Sequence, residues 1–179
     1  MAHAQIALIR GINVGRAKRV AMADLRALVE DLGYGDVRTL LNSGNVVFTT
    51  GRPAAGTAAA RIEKALSTEL GVSARVTVIR AADLSAAIAD NPLLEVADDP
   101  SRLLVAVLGD PADRPKLERL KRQDWTPDVL AVGTRVAYLW CAEGILTSKL
   151  AAAVNRALGD AVTTRNWATM IKLHALTNK

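Results

Sequence analysis

The chain has 179 residues, 50% of them apolar and 3% aromatic, with a formal net charge of +5 at neutral pH. That length fits one ordinary domain or two small ones, and the apolar content excludes a disordered chain, which needs low hydrophobicity and high net charge. A single cysteine, Cys141, excludes an internal disulfide, two histidines, His3 and His174, exclude a His-rich metal site, and no apolar run approaches the ~20 residues of a membrane span.

Ala4 to Gly11 is a short apolar run closed by glycine, which predicts a buried strand. Its core, Ile6 to Ile9, is too short for a signal peptide and stops at Arg10, so a soluble cytoplasmic protein is expected. Residues 12–20 predict a glycine-containing basic loop. Across 21–32, Leu25, Leu28, Val29 and Leu32 fall at i, i+3, i+4 and i+7, the spacing of one apolar helix face, and Gly33 stands where a helix stops. Val37–Leu41 and Val46–Thr50 are β-prone runs around Asn42-Ser43-Gly44-Asn45, a hairpin signal with Ser-Gly or Gly-Asn as the central pair. Thr57–Leu70 predicts a helix with Ile62, Ala65, Leu66 and Leu70 on one face, and Val72–Ile79 a strand.

Asp83–Asp90 predicts a further helix, ended by Asn91-Pro92 because the residue before proline avoids the helical region. Residues 92–100, with two prolines and Glu95, Asp98 and Asp99, read as a linker. The pattern then returns: strand Arg102–Leu108, basic helix Lys116–Arg122, strands Val129–Val132 and Val136–Cys141, helix Thr147–Leu158, short strand Ala161–Thr164 and helix Asn166–Leu176. The order β-α-β-β-α-β thus occurs twice. It predicts an α+β protein of two ferredoxin-like (α/β-plait) halves with antiparallel sheets, residues 1–91 and 101–179, each with strand order 4-1-3-2. A doubly wound parallel sheet is the alternative, and it fits less well because both hairpins demand antiparallel neighbours.

The stretches LIRGINVG at 8–15 and MADLRALVEDLGYGDVRTLLNSGNVVF at 22–48 resemble a widespread bacterial family known as domain of unknown function 1697. GILTSKL at 144–150 and TRNWATMIKL at 164–173 are similar to the closing segments of that family. The resemblance implies a fold of two ferredoxin-like parts and implies no activity. Two positions depart from the family pattern: Arg16 stands where a second glycine is usual, and Ala21 where a proline is usual. Arg16 leaves the loop less free to wrap a ligand; the loss of a first-turn proline matters little.

The segment Arg10-Gly11-Ile12-Asn13-Val14-Gly15-Arg16-Ala17-Lys18-Arg19 leaves a strand and enters a helix. Glycines there let backbone N–H groups approach an anion, and basic side chains flank them. It is neither a Walker A sequence nor GxGxxG, and a structural turn with a solvated basic rim is the plain alternative. Asn42, Ser43, Gly44 and Asn45 are standard turn residues, yet the topology puts their hairpin at the same sheet end as loop 11–20. In the second half, Lys149 at a helix start, and Arg165 and Asn166 after the last strand, share one sheet end as candidate anion contacts. There Thr164 or Asn166 is placed to cap the last helix. Trp167 and His174 have core spacing.

Other chemistries lack their parts. A serine triad needs a histidine base, and only His3 near the terminus and His174 on a helix are available. Cys141 at a strand end reads as a small buried apolar residue. Asp98-Asp99 reads as a solvated turn. No CxxC, HExxH or calcium-loop pattern occurs, so no metal or cofactor is expected. Residues 1–30 hold five bases and two acids, 144–179 five bases and one acid, and 81–100 five acids and no base, so basic faces are available to nucleic acid or phosphorylated metabolites. Few aromatics disfavour base stacking by nucleic acid and leave only charge contacts. The leading expectation is a cytosolic protein that binds an anionic, phosphorylated small molecule at glycine- and asparagine-rich loops. The alternatives are a small enzyme acting on a phosphorylated substrate, for which no base or nucleophile is visible, and a structural or interaction module. No feature of the sequence specifies an oligomeric state.

Overall fold

The structure, a computed structural model, describes residues 2–51 and 55–179. The chain runs β1 (His3–Ile9), α1 (Met22–Asp31), β2 (Gly35–Leu40), β3 (Asn45–Thr50), α2 (Ala55–Leu70), β4 (Val76–Arg80) and α3 (Ala81–Ala89). It continues with β5 (Leu103–Leu108), α4 (Arg114–Lys121), β6 (Val129–Val132), β7 (Val136–Trp140), α5 (Lys149–Leu158), β8 (Val162–Asn166) and α6 (Trp167–Thr177). The strands form two four-stranded antiparallel sheets, ordered β2-β3-β1-β4 and β6-β7-β5-β8. Read from the fourth strand, each is the predicted 4-1-3-2 arrangement, so the α+β fold of two ferredoxin-like halves holds. The chain divides into two compact units, Met1–Ala82 with Leu173–Lys179, and Asp83–Lys172. Segment 92–100 lies within the second unit, and α6 has residues in both.

In the first unit, the period of two along a strand sends Ala7 and Ile9 of β1, Val46 and Phe48 of β3, and Val76 and Val78 of β4 to one face. There they pack with Leu25, Leu28 and Val29 of α1 and with Ile62 and Leu66 of α2. The alternate residues Ile6, Leu8, Val47 and Ile79 are buried as well, which is why β1 reads as a continuous apolar run rather than an alternating one. Ala21 precedes α1 at φ −67° with no side-chain cap, an angle that proline also holds, so the missing family proline leaves the helix start unchanged. α2 stops before Gly71, which takes φ +62°, a conformation glycine holds without strain, and the Val72 N–H bonds back to Leu66 O at 3.0 Å. The strand expected from Val72 begins only at Val76, because 72–75 turn the chain out of that helix end.

In the second unit, Leu104, Ala106, Leu108, Ala137, Leu139 and Val162 face Leu117 and Leu120 of α4 and Leu150 and Val154 of α5. α4 starts earlier than its expected bound at Lys116, because a 3-10 turn at Pro111–Asp113, capped by Asp110 accepting from Ala112 N at 2.9 Å, leads into it. Tyr138 points to the opposite face, where its hydroxyl donates to Ala87 O of α3 at 2.7 Å.

Two buried polar groups yield predictions. Gln5 is fully buried on β1, and neither atom of its amide has a partner among the described residues. Gln5→Met, similar in length and free of that desolvation cost, should raise unfolding free energy by roughly 1–3 kcal/mol in urea melts. Burial, together with the nearby Asp90 carboxylate, pushes the Tyr138 hydroxyl up to about 12. An unfolded tyrosine ionises near pH 10, so the contribution of Tyr138 to stability is complete below about pH 10 and is lost as pH rises toward its folded value. Tyr138→Phe should cost about 0.5–1.5 kcal/mol at pH 7 for the lost hydrogen bond and lose less stability than the parent between pH 10 and pH 12.

Candidate functional site

β1 and β2 both run antiparallel to β3, so they are parallel to each other and end at the same end of the first sheet, where β4 begins. Three connections meet there: the β1–α1 loop 10–21, the β2–β3 hairpin and the α2–β4 segment 71–75. Backbone bonds tie them, from Ile9 N to Gly44 O at 2.8 Å and from Arg10 N to Arg75 O at 2.9 Å. The Lys18 ammonium donates to Gly71 O, tethering the loop to the end of α2. The loop and hairpin that topology predicts as neighbours are thus bonded neighbours.

Asn13 organises the loop. It takes φ +56°, a conformation that asparagine tolerates better than most residues. Its Nδ2 donates to Val20 O at 2.8 Å and to Asn42 O at 2.7 Å, while its Oδ1 accepts from Val20 N at 2.7 Å. One amide therefore closes the loop on itself and pins it to the hairpin. Ile12, 1% exposed, anchors the loop from below.

The hairpin differs from a two-residue turn. Leu40 pairs with Asn45, which leaves the four residues 41–44 in the turn, so neither Ser-Gly nor Gly-Asn is a central pair. The cause is Asn45, fully buried, whose Nδ2 donates to Leu40 O and to Ser43 Oγ, each at 2.8 Å. Gly44 takes φ +88°, and a Cβ there would stand 2.9 Å from Ile12 Cδ1 and 3.0 Å from Ile9 Cβ, so a side chain does not fit. Asn13, Ser43, Gly44 and Asn45 are thus a frame, with their polar side chains turned into the fold.

What the frame presents is different. Gly11 and Gly15 take φ +72° and +54°, and a Cβ on either would meet nothing within 4 Å. Among the described residues, the N–H groups of Gly11, Gly15 and Arg16 meet no protein acceptor. The Asn42 carboxamide is exposed and has no partner among the described residues. Arg10 is half-buried, and Arg16, Lys18, Arg19 and Arg75 are exposed. Glu63 accepts from Val76 N at 2.8 Å and lies 3.8 Å from the Arg75 guanidinium.

Residues 2–138 match the family described as "Protein of unknown function (DUF1697)". The chain belongs to this family. No curated protein matches it. Among solved structures it is similar to the conserved bacterial protein SP0830 from Streptococcus pneumoniae, at 20% identity over 99% of each chain with a TM-score of 0.77, a likeness of fold. The DUF1697 match contains the whole loop and hairpin and ends before Lys149, Arg165 and Asn166.

Those three residues lie in the second unit, at the end of its sheet where β7 and β8 both finish. Asn166 Oδ1 accepts from Thr169 N at 2.9 Å and caps α6. Arg165 is half-buried and donates to Thr164 O at 3.0 Å. Ser148 caps α5 by accepting from Ala151 N at 3.0 Å, and donates to Asp128 Oδ2 at 2.7 Å. The exposed Lys149 shares a cleft of about 260 Å³ with Asp128, Glu143 and Ser148, so two carboxylates face the space that an anion would have to enter. Cys141 is buried and hydrogen-bonded to Ser148, and burial pushes its thiol up, away from the reactive thiolate. Among the described residues, no group of three His, Cys, Asp or Glu side chains is placed to hold a metal.

Two members of the first cluster have no motif: Arg75, and Lys18 in its tethering role. Their signal is topological, since the start of β4 must share a sheet end with the finish of β1. Substitutions separate frame from rim. Asn45→Ala removes a buried amide from its half-buried partners and should cost roughly 1–3 kcal/mol. Gly44→Ala should cost more than about 1 kcal/mol from its positive φ and crowding. Asn42→Ala should stay within about 0.5 kcal/mol of the parent, as an exposed change does. Denaturant unfolding of the three variants checks the order; equal losses at Asn42 and Asn45 would make both part of the frame.

Proposed function

We propose that this is a cytoplasmic protein that binds an anionic, phosphorylated ligand at the β1–α1 loop and β2–β3 hairpin of its first unit. The observation that carries this reading is the pair Gly11 and Gly15. Both hold left-handed backbone with N–H groups unclaimed among the described residues, and open space lies where a Cβ would stand. Successive backbone donors in such turns form a concavity that favours anions, and the missing Cβ atoms let phosphate oxygens come close. Arg10 and Arg16 bring positive charge to the same loop, and the Asn42 amide offers a directional donor beside it. Asn13, Ser43, Gly44 and Asn45 hold this surface in shape rather than contact the ligand. Lys149, Arg165 and Asn166 stand outside the proposed site, because caps and carboxylates occupy their surroundings.

Titration of the ¹⁵N-labelled protein with inorganic phosphate and pyrophosphate tests the reading. Amide shifts should concentrate at Gly11, Gly15, Arg16 and the Asn42 side chain. Asn42→Ala should weaken binding by about tenfold or more, the scale of one hydrogen bond to a charged group. Shifts scattered over all basic surfaces, or none at millimolar phosphate, would overturn it. Nucleic acid binding in place of small anions would announce itself by affinity falling orders of magnitude between low and moderate salt.

A further inference from the structure

Two aliphatic side chains at this site are exposed rather than packed into the core. Val14 is 63% exposed and Leu41 is 48% exposed. They are the chain neighbours of Asn13 and Asn42, the pair joined by the 2.7 Å bond from Asn13 Nδ2 to Asn42 O. Neither belongs to the core of the first unit, in contrast to Ile12, which the loop buries under the hairpin.

Leu41 carries a cost besides its exposure. Its backbone takes φ +57°, which crowds Cβ against the following carbonyl at roughly 1–2 kcal/mol for a residue other than glycine. Glycine or asparagine would hold the same turn with less strain, and solvent exposure returns little of the hydrophobic gain a leucine obtains in a core. Val14 likewise stands in a solvent loop otherwise rich in glycine and bases. An apolar pair beside open backbone donors and cations matches a molecule with one charged end and one hydrocarbon portion.

We propose that the ligand of this loop is a phosphate monoester of an aliphatic alcohol, its phosphate over Gly11 and Gly15 and its hydrocarbon portion on Val14 and Leu41. The proposal rests on the phosphate reading above and adds the chemistry of the remainder of the ligand. The same chemistry is offered by a free monoalkyl phosphate and by a phosphatidic acid headgroup with its adjoining chain.

Calorimetric titration of the full chain with inorganic, methyl, butyl and octyl phosphate, the last below its micelle concentration, tests it. Affinity should rise along the series by about two- to fourfold per methylene until both side chains are covered, the upper figure corresponding to ~0.8 kcal/mol for each fully buried CH₂. Leu41→Asn should cut the octyl-to-methyl affinity ratio at least fivefold while melting no lower than the parent, since asparagine tolerates the left-handed turn. Vesicles of phosphatidylcholine with and without phosphatidic acid distinguish the source: capture by the acidic vesicles supports a membrane lipid, and binding of octyl phosphate without capture supports a free amphiphile. Equal affinity for methyl and octyl phosphate, with inorganic phosphate still bound, overturns the hydrocarbon contact and leaves the phosphate reading standing. Binding of octyl glucoside as tightly as octyl phosphate overturns the pairing of charge with chain. Failure of every phosphate to bind overturns both readings.

Discussion

A Cβ on Gly44 would stand 2.9 Å from Ile12 and 3.0 Å from Ile9, which leaves no room for a side chain at the last position of the turn. Because the hairpin closes this tightly on the end of β1, Ile12 is sealed beneath it and the chain must leave the sheet at Asn13. From there the amide of Asn13 can reach both Val20 and Asn42, and the loop has one shape. A bulkier residue at 44 would lift the hairpin, unseat Ile12 and lengthen the Asn13 bonds together. The frame and the surface it displays are therefore one cooperative object rather than two adjoining loops.

Electrostatics divides the two units. At the first, bases crowd the rim, and Glu63 beside Arg75 is already engaged with Val76 N. At the second, Lys149 opens onto a cleft that also holds Asp128 and Glu143. Carboxylates that line the same cleft as an ammonium weaken the field a diffusing anion would feel there. Two halves with the same strand order thus differ in what they can attract. Chain connectivity sets the shape of each sheet end, and the residues in the loops set its sign.

Much of this architecture is legible in the sequence. The i, i+3, i+4, i+7 spacing of Leu25, Leu28, Val29 and Leu32 marks α1, and Gly33 and Gly71 mark the helix stops. The two hairpins force antiparallel neighbours, which with the element order determines 4-1-3-2. The same topology brings loop 11–20 and the Asn42–Asn45 turn together before any distance is known. The division of labour among the asparagines is not legible. Asn13, Asn42 and Asn45 are chemically alike, and only long-range geometry makes two of them braces and leaves one an exposed amide. The four-residue turn is equally hidden, because it follows from burial of Asn45, and a local turn rule has no knowledge of depth. Leu41 looks like the last residue of a strand, since its alternation is right, and its left-handed backbone emerges only when Asn45 fixes where pairing ends.

The three hydrogen bonds of Asn13 also bear on the kinetics of recognition. A loop that hardens only around its ligand must lose conformational entropy during the encounter, and its association rate then includes the time to find the bound shape. Here that ordering is completed when the protein folds, because Val20 and Asn42 already hold the asparagine on both sides. For the anion proposed above, the receiving surface is in place before the encounter. Its capture would then be governed by diffusion through the field of the surrounding bases, and its residence time by the contacts it makes once there.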